Sequence, residues 1–531
     1  MSQESKEEGA TGPSAPSKEQ PTDDTNKEAS SPASQTIKTS VEKGKSSKAG
    51  KIDDATKKPA NLTPDQFNRL LSLNHSLKQE VDSMEPSKVQ EMMKTLNIAD
   101  ILAGASISGK NKKDMASYKF WQTQPVPSFD EAKKIVEDGS MQEVQLDKVP
   151  KEPRQMYPGF EWVIMDLSNE DELKELYELL SNHYVEDVEA MFRFNYSPSF
   201  LNWALKAPGW RKDWHIGVRA SQSRKLVAFI SAIPVELRVR KNLLKSSEVN
   251  FLCVHKKLRD KRLAPVLIAE ITRRCNIVGI FQAIYTAGVL LPTPISTCRY
   301  FHRSLNWEKL YEVGFSPLPS GSTKQRQILK FKLPTTTSIH GLCPMAKKDV
   351  SAVLDLLKRY LERFAIAQIF TKEEVEHWLL NDTKMISEQV VWSYVVEDPS
   401  THKITDFFSF YRLESTALAS KKHQLIRAAY LFYYATEAAF SSTHDKGVLK
   451  KRLNEMVKDA MILAKKENFD VFNALTLLDN PLFLEEQKFG AGDGLLHYYL
   501  YNYRAATIPG GMNTKNQPDE KHMGGVGVVM L

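Results

Sequence analysis

Residues 248–274 concentrate the side chains that can do chemistry. Lys256, Lys257, Arg259, Lys261 and Arg262 lie between an apolar run (Val249, Phe251, Leu252, Cys253, Val254) and a stretch in which Ala264, Leu267, Ile268 and Ile271 recur at i, i+3, i+4, i+7. The run is rich in strand formers. The recurrence, with Pro265 near its first turn and Arg273 and Arg274 near its last, predicts a helix. A basic turn feeding a helix N-terminus is an anion site, because unpaired N–H groups and the helix dipole both point at the ligand. Cys253 and His255 share one strand face and could form a thiol nucleophile with its base. No orienting acid accompanies them, and a buried strand cysteine is usually packing. Downstream, Gly490, Gly492 and Gly494 could suggest a phosphate cradle, but no Lys-Ser/Thr follows them. A close backbone turn beside a substrate is the better reading.

These residues need a scaffold, and the pattern around them alternates α and β. Helices are expected at 170–182 and 199–205, strands at 215–218 and 226–239 joined by a turn at 221–225, and a strand at 282–286 after the central strand–turn–helix. A Pro-, Ser- and Thr-rich crossover at 317–337 leads to a second α/β unit. There, 346–364, 371–380 and 450–468 read as helices, and 390–396, 404–413, 428–434, 471–474 and 497–503 as strands. The two halves share an order of elements without a convincing residue-level repeat.

The chain has 531 residues, enough for two or more packed units, with globular values of 41% hydrophobic and 26% charged residues. Four scattered cysteines without a Cys-x-x-Cys pair fit a reducing compartment and argue against a zinc site or disulfide framework. No apolar run reaches 18 residues and the first thirty are polar, so neither a spanning helix nor a secretory signal is expected. A cytoplasmic monomer without sequence-specific nucleic-acid binding is the expectation. Residues 1–60 contain no Phe, Trp or Tyr, and such a segment cannot offset its ordering entropy. A disordered polar tail is therefore expected over 1–105, with accessory helices at 63–83 and 86–102. The net charge of +7 leaves one non-catalytic reading, a ribosome- or membrane-docking module.

Glu248-Val249-Asn250-Phe251-Leu252-Cys253-Val254-His255-Lys256 resembles the Glu-Ile/Val-Asn-Phe-Leu-Cys-x-His-Lys signature of N-myristoyltransferases. Lys488-Phe489-Gly490-Ala491-Gly492-Asp493-Gly494 resembles a second signature, Lys-Phe-Gly-x-Gly-Asp-Gly. The turn Arg259-Asp260-Lys261-Arg262-Leu263-Ala264 is similar to the Gln/Arg-x-x-Gly-x-Gly/Ala loop of GNAT acyltransferases, with Arg262 in place of the middle Gly. The resemblance runs from about Tyr118 to Leu531. It implies an α/β fold with mixed sheets, built as two pseudo-symmetric GNAT-like halves, 106–325 for acyl-coenzyme A and 326–531 for peptide. It also implies transfer of a tetradecanoyl group from myristoyl-CoA to the N-terminal glycine of proteins, with no permanent cofactor and no metal. A GNAT-type enzyme with a shorter acyl donor or a lysine acceptor is the alternative.

By the same resemblance, backbone N–H groups of Phe251 and Leu252 would meet the thioester oxyanion, and the terminal carboxylate of Leu531 would be the base. An amine of reference pKa about 8 must lose a proton before it attacks, so a base is required. Acyl-coenzyme A contacts carry over to Lys119, Phe120, Trp121, Phe251, Leu252, Cys253, Val254, Asp260, Arg262, Leu263 and Ala264. Peptide contacts carry over to Tyr184, Asp187, Glu189, Phe192, Phe194, Asn250, Thr286, Tyr300, His302, Tyr411, Ser415, Asn473 and Asp493. An apolar tunnel would select chain length at about 0.8 kcal/mol, roughly a factor of four, per methylene.

Overall fold

In chain order the first part contains β1 (Phe160–Ile164), α1 (Glu170–His183), β2 (Phe192–Asn195), α2 (Pro198–Leu205), β3 (His215–Ala220), β4 (Leu226–Val239), β5 (Asn242–Val254), α3 (Leu263–Ile277), β6 (Gln282–Ala287), β7 (Ser296–Ser304), α4 (Trp307–Glu312) and α5 (Lys324–Lys330). The second contains β8 (Leu342–Pro344), α6 (Val350–Leu361), β9 (Ile366–Gln368), α7 (Lys372–Leu379), β10 (Val391–Glu397), β11 (Ile404–Ala417), β12 (Leu425–Thr436), α8 (Lys446–Lys466), β13 (Val471–Leu475), β14 (Gly490–Tyr501) and β15 (Val526–Gly527). The computed structural model describes Val81 and residues 114–531, apart from 132–133, 135–136, 186–190, 382–387, 441–445 and 522. The expected tail and, but for Val81, its accessory helices lie outside the described residues.

The local reasons for these elements are visible in the side chains. Helix α1 starts where Asn169 accepts from the Asp171 N–H and three acids occupy the first turn, which suits the dipole. It buries Leu173, Leu176, Leu179 and Leu180 on one stripe. Leu176 and Leu180 are fully buried, each a stabilisation of about 2 kcal/mol. Along β4 the alternation serves two cores. Phe229, Ile233, Val235 and Leu237 join the large core, while Ala228, Ile230 and Ala232 join a smaller one under α3. Helix α6 begins at Val350 rather than at 346. The Asp349 carboxylate folds back to accept from the Ala346 N–H at 2.9 Å, which makes 347–349 a 3-10 turn instead.

Among the described residues these fifteen strands form one mixed sheet, whose main path runs β15-β9-β4-β5-β6-β14-β7-β13-β12-β11-β10-β8. Strand β2 pairs with β11, and β1 pairs with β3, which pairs with β4. The order shows that the halves are interleaved rather than set side by side. Strand β14, from the second half, sits between β6 and β7 of the first, while β9 pairs with β4 and β2 with β11. The strand expected at 497–503 begins at Gly490, and the two-residue strand Tyr503–Arg504 pairs with Gly139–Ser140. The crossover at 317–337 contains α5, capped by the Thr323 hydroxyl, which accepts from the Arg326 N–H at 3.3 Å.

Candidate active site

Two forks open in the sheet, one in each half. Strands β5 and β6 run parallel only over Ser246–Gln282, Ser247–Ala283 and Glu248–Ile284, and their ladder stops at Glu248. Strands β12 and β13 run parallel from Ala428–Val471 to Tyr430–Asn473 and stop there. A register shift lies beside each opening. Ser231 faces Asn250 and Phe229 faces Cys253, so Phe251 and Leu252 together oppose Ile230. Phe410 faces Leu431 and Phe408 faces Tyr434, so Phe432 and Tyr433 together oppose Ser409. Such a bulge takes backbone groups out of the ladder. At the first, Phe251 adopts φ +57°, a left-handed conformation unusual for an aromatic residue, and its N–H is directed at the Tyr184 hydroxyl.

The bulge also sorts the side chains. Phe251 and Cys253 join the large core, whereas Leu252 and Val254 pack with Leu263 on the α3 side. On that side the chain leaves Val254 into the 3-10 turn Lys256–Lys261 and then α3. His255 Nδ1 accepts from the Lys257 N–H at 3.2 Å, and Arg259 Nη2 donates to the His183 carbonyl at 2.7 Å, fastening the turn to the end of α1. The His183 and His255 rings lie 3.9 Å apart. Burial first, then His255, Lys256, Arg193 and Arg259, hold His183 down to about 4, which keeps its ring neutral among these basic side chains. Arg262 caps α3 with φ +55°; the GNAT loop has its middle glycine at this position, and this protein places an arginine in the same left-handed backbone. Asp260 and Arg262 are exposed, Leu263 is buried and Ala264 is half-buried. Trp121 stacks on Tyr285 at 5.6 Å, Tyr285 stacks on Tyr499 at 5.0 Å, and Phe120 meets Trp121 edge-on. That ladder stands on the face of β6 opposite Thr286. Lys119 is exposed.

On the other face the expected peptide contacts converge. Tyr184 and Tyr196 pack against Phe251 at 5.9 and 5.3 Å. The contacts continue from Tyr196 to Phe194, from Phe194 to Tyr430, and from Tyr430 to Tyr411 and Tyr300. Phe194 lies opposite Ser415, and Thr286 opposite Tyr498. His302 lies opposite Asn473, and its Nδ1 is 2.7 Å from Asn473 Oδ1. Since that oxygen only accepts, Nδ1 carries the proton; burial lowers the His302 pKa, which favours the neutral ring. Phe315 contacts both Phe192 and His302. A Cβ on Gly492 would stand 2.3 Å from His302 Nε2, so the second signature needs glycine there for close approach. Asp493 is exposed and acts on His302 and Arg299. Asp187 and Glu189 lie outside the described residues.

The end of the chain enters the same region. Strand β15 pairs with β9, Val528 O accepts from the Tyr498 hydroxyl at 3.1 Å, and the Val529 N–H donates to the Tyr433 hydroxyl at 3.0 Å. Val529 and Met530 line a narrow cavity of about 10 Å³ with Tyr300, Tyr411, Tyr430 and Asn473. Leu531 is half-buried against the large core. Tyr196, Tyr430, Tyr433 and Tyr498 escaped the sequence reading. Their signal is positional: Tyr430, Tyr433 and Tyr498 acquire meaning only through a cross-strand or bulge partner, and Tyr196 only through its ring contacts with Tyr184, Phe194 and Phe251.

The sequence comparisons fit this geometry. A family model for the N-terminal domain of myristoyl-CoA:protein N-myristoyltransferase matches residues 140–298, and one for the C-terminal domain matches 312–529. The chain belongs to the N-myristoyltransferase family. A glycylpeptide N-tetradecanoyltransferase of Aspergillus fumigatus is 63% identical over 471 residues, covering 89% of this chain and 95% of that protein. Its namesake in Saccharomyces cerevisiae is 50% identical over 451 residues, covering 84% and 98%. A crystal structure of the Saccharomyces cerevisiae N-myristoyltransferase with bound myristoyl-CoA superposes with a TM-score of 0.75 at 52% identity, covering 78% of this chain and 94% of that one. Within this N-myristoyltransferase fold the thiol reading of Cys253 finds little support. Burial pushes the thiol up to about 12, Sγ lies 4.0 Å from the Leu179 carbonyl, and the His255 ring packs on His183 instead. Cys253→Ala is accordingly expected to keep kcat within about threefold, since only packing is lost. A thousandfold loss in a folded variant would restore the covalent reading.

Proposed function

We propose that the protein moves the tetradecanoyl group of myristoyl-CoA onto the α-amino group of proteins that begin with glycine. The coenzyme would lie on the α3 side, its phosphates at the basic turn and the N-terminus of α3. The thioester would cross the first fork at the Phe251–Leu252 bulge. The glycine ammonium gives one proton to the Leu531 carboxylate, and the freed amine attacks the thioester carbon. The resulting oxyanion would be met by the Phe251 and Leu252 N–H groups, with the Tyr184 hydroxyl yielding the Phe251 N–H to it. Collapse expels the coenzyme A thiolate, and the second amine proton ends on the thiol as the amide forms. One proton is released to solvent overall.

The observation that supports this reading most is the convergence of two backbone features. The Phe251 bulge and residues Val528 to Leu531 are brought together by a continuous set of tyrosine and phenylalanine rings. Small polar groups among bulky rings also favour a residue with no side chain next to the amine. The test is release of free coenzyme A with a Gly-initiated peptide against the same peptide beginning with Ala. The expected result is at least a hundredfold preference for Gly, because a methyl group must displace packed aromatic rings. Equal rates, or faster turnover of acetyl-CoA than myristoyl-CoA, would favour a GNAT-type enzyme of other specificity.

A further inference from the structure

Glu248 stands at the apex of the first fork, where the β5–β6 ladder ends. It is 6% exposed. Its cross-strand partner Ile233 belongs to the large core, so its side chain shares the face that carries Asn250 and Phe251. Asn250 Nδ2 donates to Glu248 Oε1 at 2.7 Å. Among the described residues no cation offsets this carboxyl; burial and the Asn250 bond are what act on it. A buried carboxylate without a cation is costly and is kept where its charge has work to do.

We propose that Glu248 is a positioning residue that fixes the Asn250 amide, holding Nδ2 toward itself so that Oδ1 is left as the acceptor for the incoming glycine amine. The inference rests on the acyltransferase reading. An amide with Nδ2 committed to a carboxylate has one orientation, and its oxygen then points at a donor. A protonated Glu248 gains an O–H that can donate to Oδ1 while its other oxygen still accepts, so the amide loses its single orientation and can present an NH2 group to an ammonium. Burial pushes the Glu248 carboxyl up to about 7, with the Asn250 bond opposing. The favourable orientation is therefore present above that pH and is lost as pH falls through it. Among the described residues Tyr433 on β12 is the titratable group that senses Glu248, and it senses Glu374 of α7 as well; its hydroxyl accepts from the Val529 N–H.

The test compares wild type, Glu248→Gln, Asn250→Ala and the double variant, with a Gly-initiated peptide and myristoyl-CoA, from pH 5.5 to 9. Glu248→Gln is expected to lower kcat/KM for peptide about tenfold at pH 8, the scale of one charged hydrogen bond, to leave the myristoyl-CoA Kd within about twofold, and to remove the proton-linked limb near pH 7. In the Asn250→Ala background the same change should add less than about twofold. An equal effect in both backgrounds, or an unchanged pH profile in Glu248→Gln, would overturn the proposal. Should Glu248→Gln not fold, Glu248→Asp keeps the charge but withdraws it by one methylene; it should lose peptide kcat/KM while retaining the limb, and loss of neither overturns the proposal equally. Wild type that releases no coenzyme A with any acceptor would sink the functional reading instead, so the two failures are distinguishable.

Discussion

Deleting Leu531 should lower kcat by about 10²–10⁴-fold, the usual contribution of a positioned general base, while the myristoyl-CoA Kd changes by no more than about twofold. The contacts that hold the end of the chain survive the deletion. The β15–β9 pairing, the Tyr498 bond to Val528 O and the Tyr433 bond from Val529 N–H all lie upstream of Leu531. What moves is the carboxylate, which retreats by one residue, about 3.8 Å between α-carbons. Proton transfer tolerates no such gap, because base and proton must come within hydrogen-bond reach. The lost half-buried leucine costs stability on the order of 1 kcal/mol, too little to unfold the protein. Single-turnover acyl transfer, with binding measured separately, reads this out. Turnover at the wild-type rate would remove Leu531 from the mechanism and leave the ammonium to be deprotonated elsewhere.

Replacing Gly510 by Ala should destabilise the fold by about 3 kcal/mol or more, as overpacking against rigid neighbours does, and lower Tm by roughly 3–4 °C or more. A Cβ on Gly510 would fall 1.7 Å from the Thr297 carbonyl oxygen, and Thr297 lies within β7 beside β14. Backbone in the middle of a sheet cannot step aside as a side-chain tip can. The neighbouring Gly511 has φ +75° and would bring its own Cβ 2.0 Å from Thr476 O. The two glycines lay the returning chain flat on the strands before it turns into β15. Gly139→Ala, where a Cβ meets nothing within 4 Å, is the matched control and should shift stability by less than about 0.5 kcal/mol. Thermal denaturation of the two variants side by side settles the comparison.

Two nine- and seven-residue signatures made the chemistry legible, because each puts several constrained residues in a fixed order. The central strand–turn–helix, the long β4 and α1 were legible for a different reason, since each carries an unbroken apolar period. Strands β9 and β15 were not, because two or three residues hold no period; they exist only through their pairing with β4 and with each other. The glycines of the second signature hid the start of β14, since glycine disfavours strands on average even where a neighbouring ring demands it. The tyrosine cluster was hidden for a third reason. Tyr196 sits in the connection between β2 and α2, and Tyr430 and Tyr498 lie on β12 and β14; only the tertiary fold sets them beside Tyr300 and Tyr411, which the resemblance had already named. Glu248 stood in plain view inside the first signature, yet a carboxylate in a strand looks solvated until its burial is known.

Strand β14 begins at Gly490, whereas β7, the strand beside it, ended at Ser304. During synthesis on the ribosome the first half therefore emerges with a vacant slot between β6 and β7, and the strand that fills it leaves the tunnel much later. An unpaired slot is a sticky edge. A gene severed between the halves would yield fragments that each lack strands the other owns, and rescue should require both fragments to be made in the same cell.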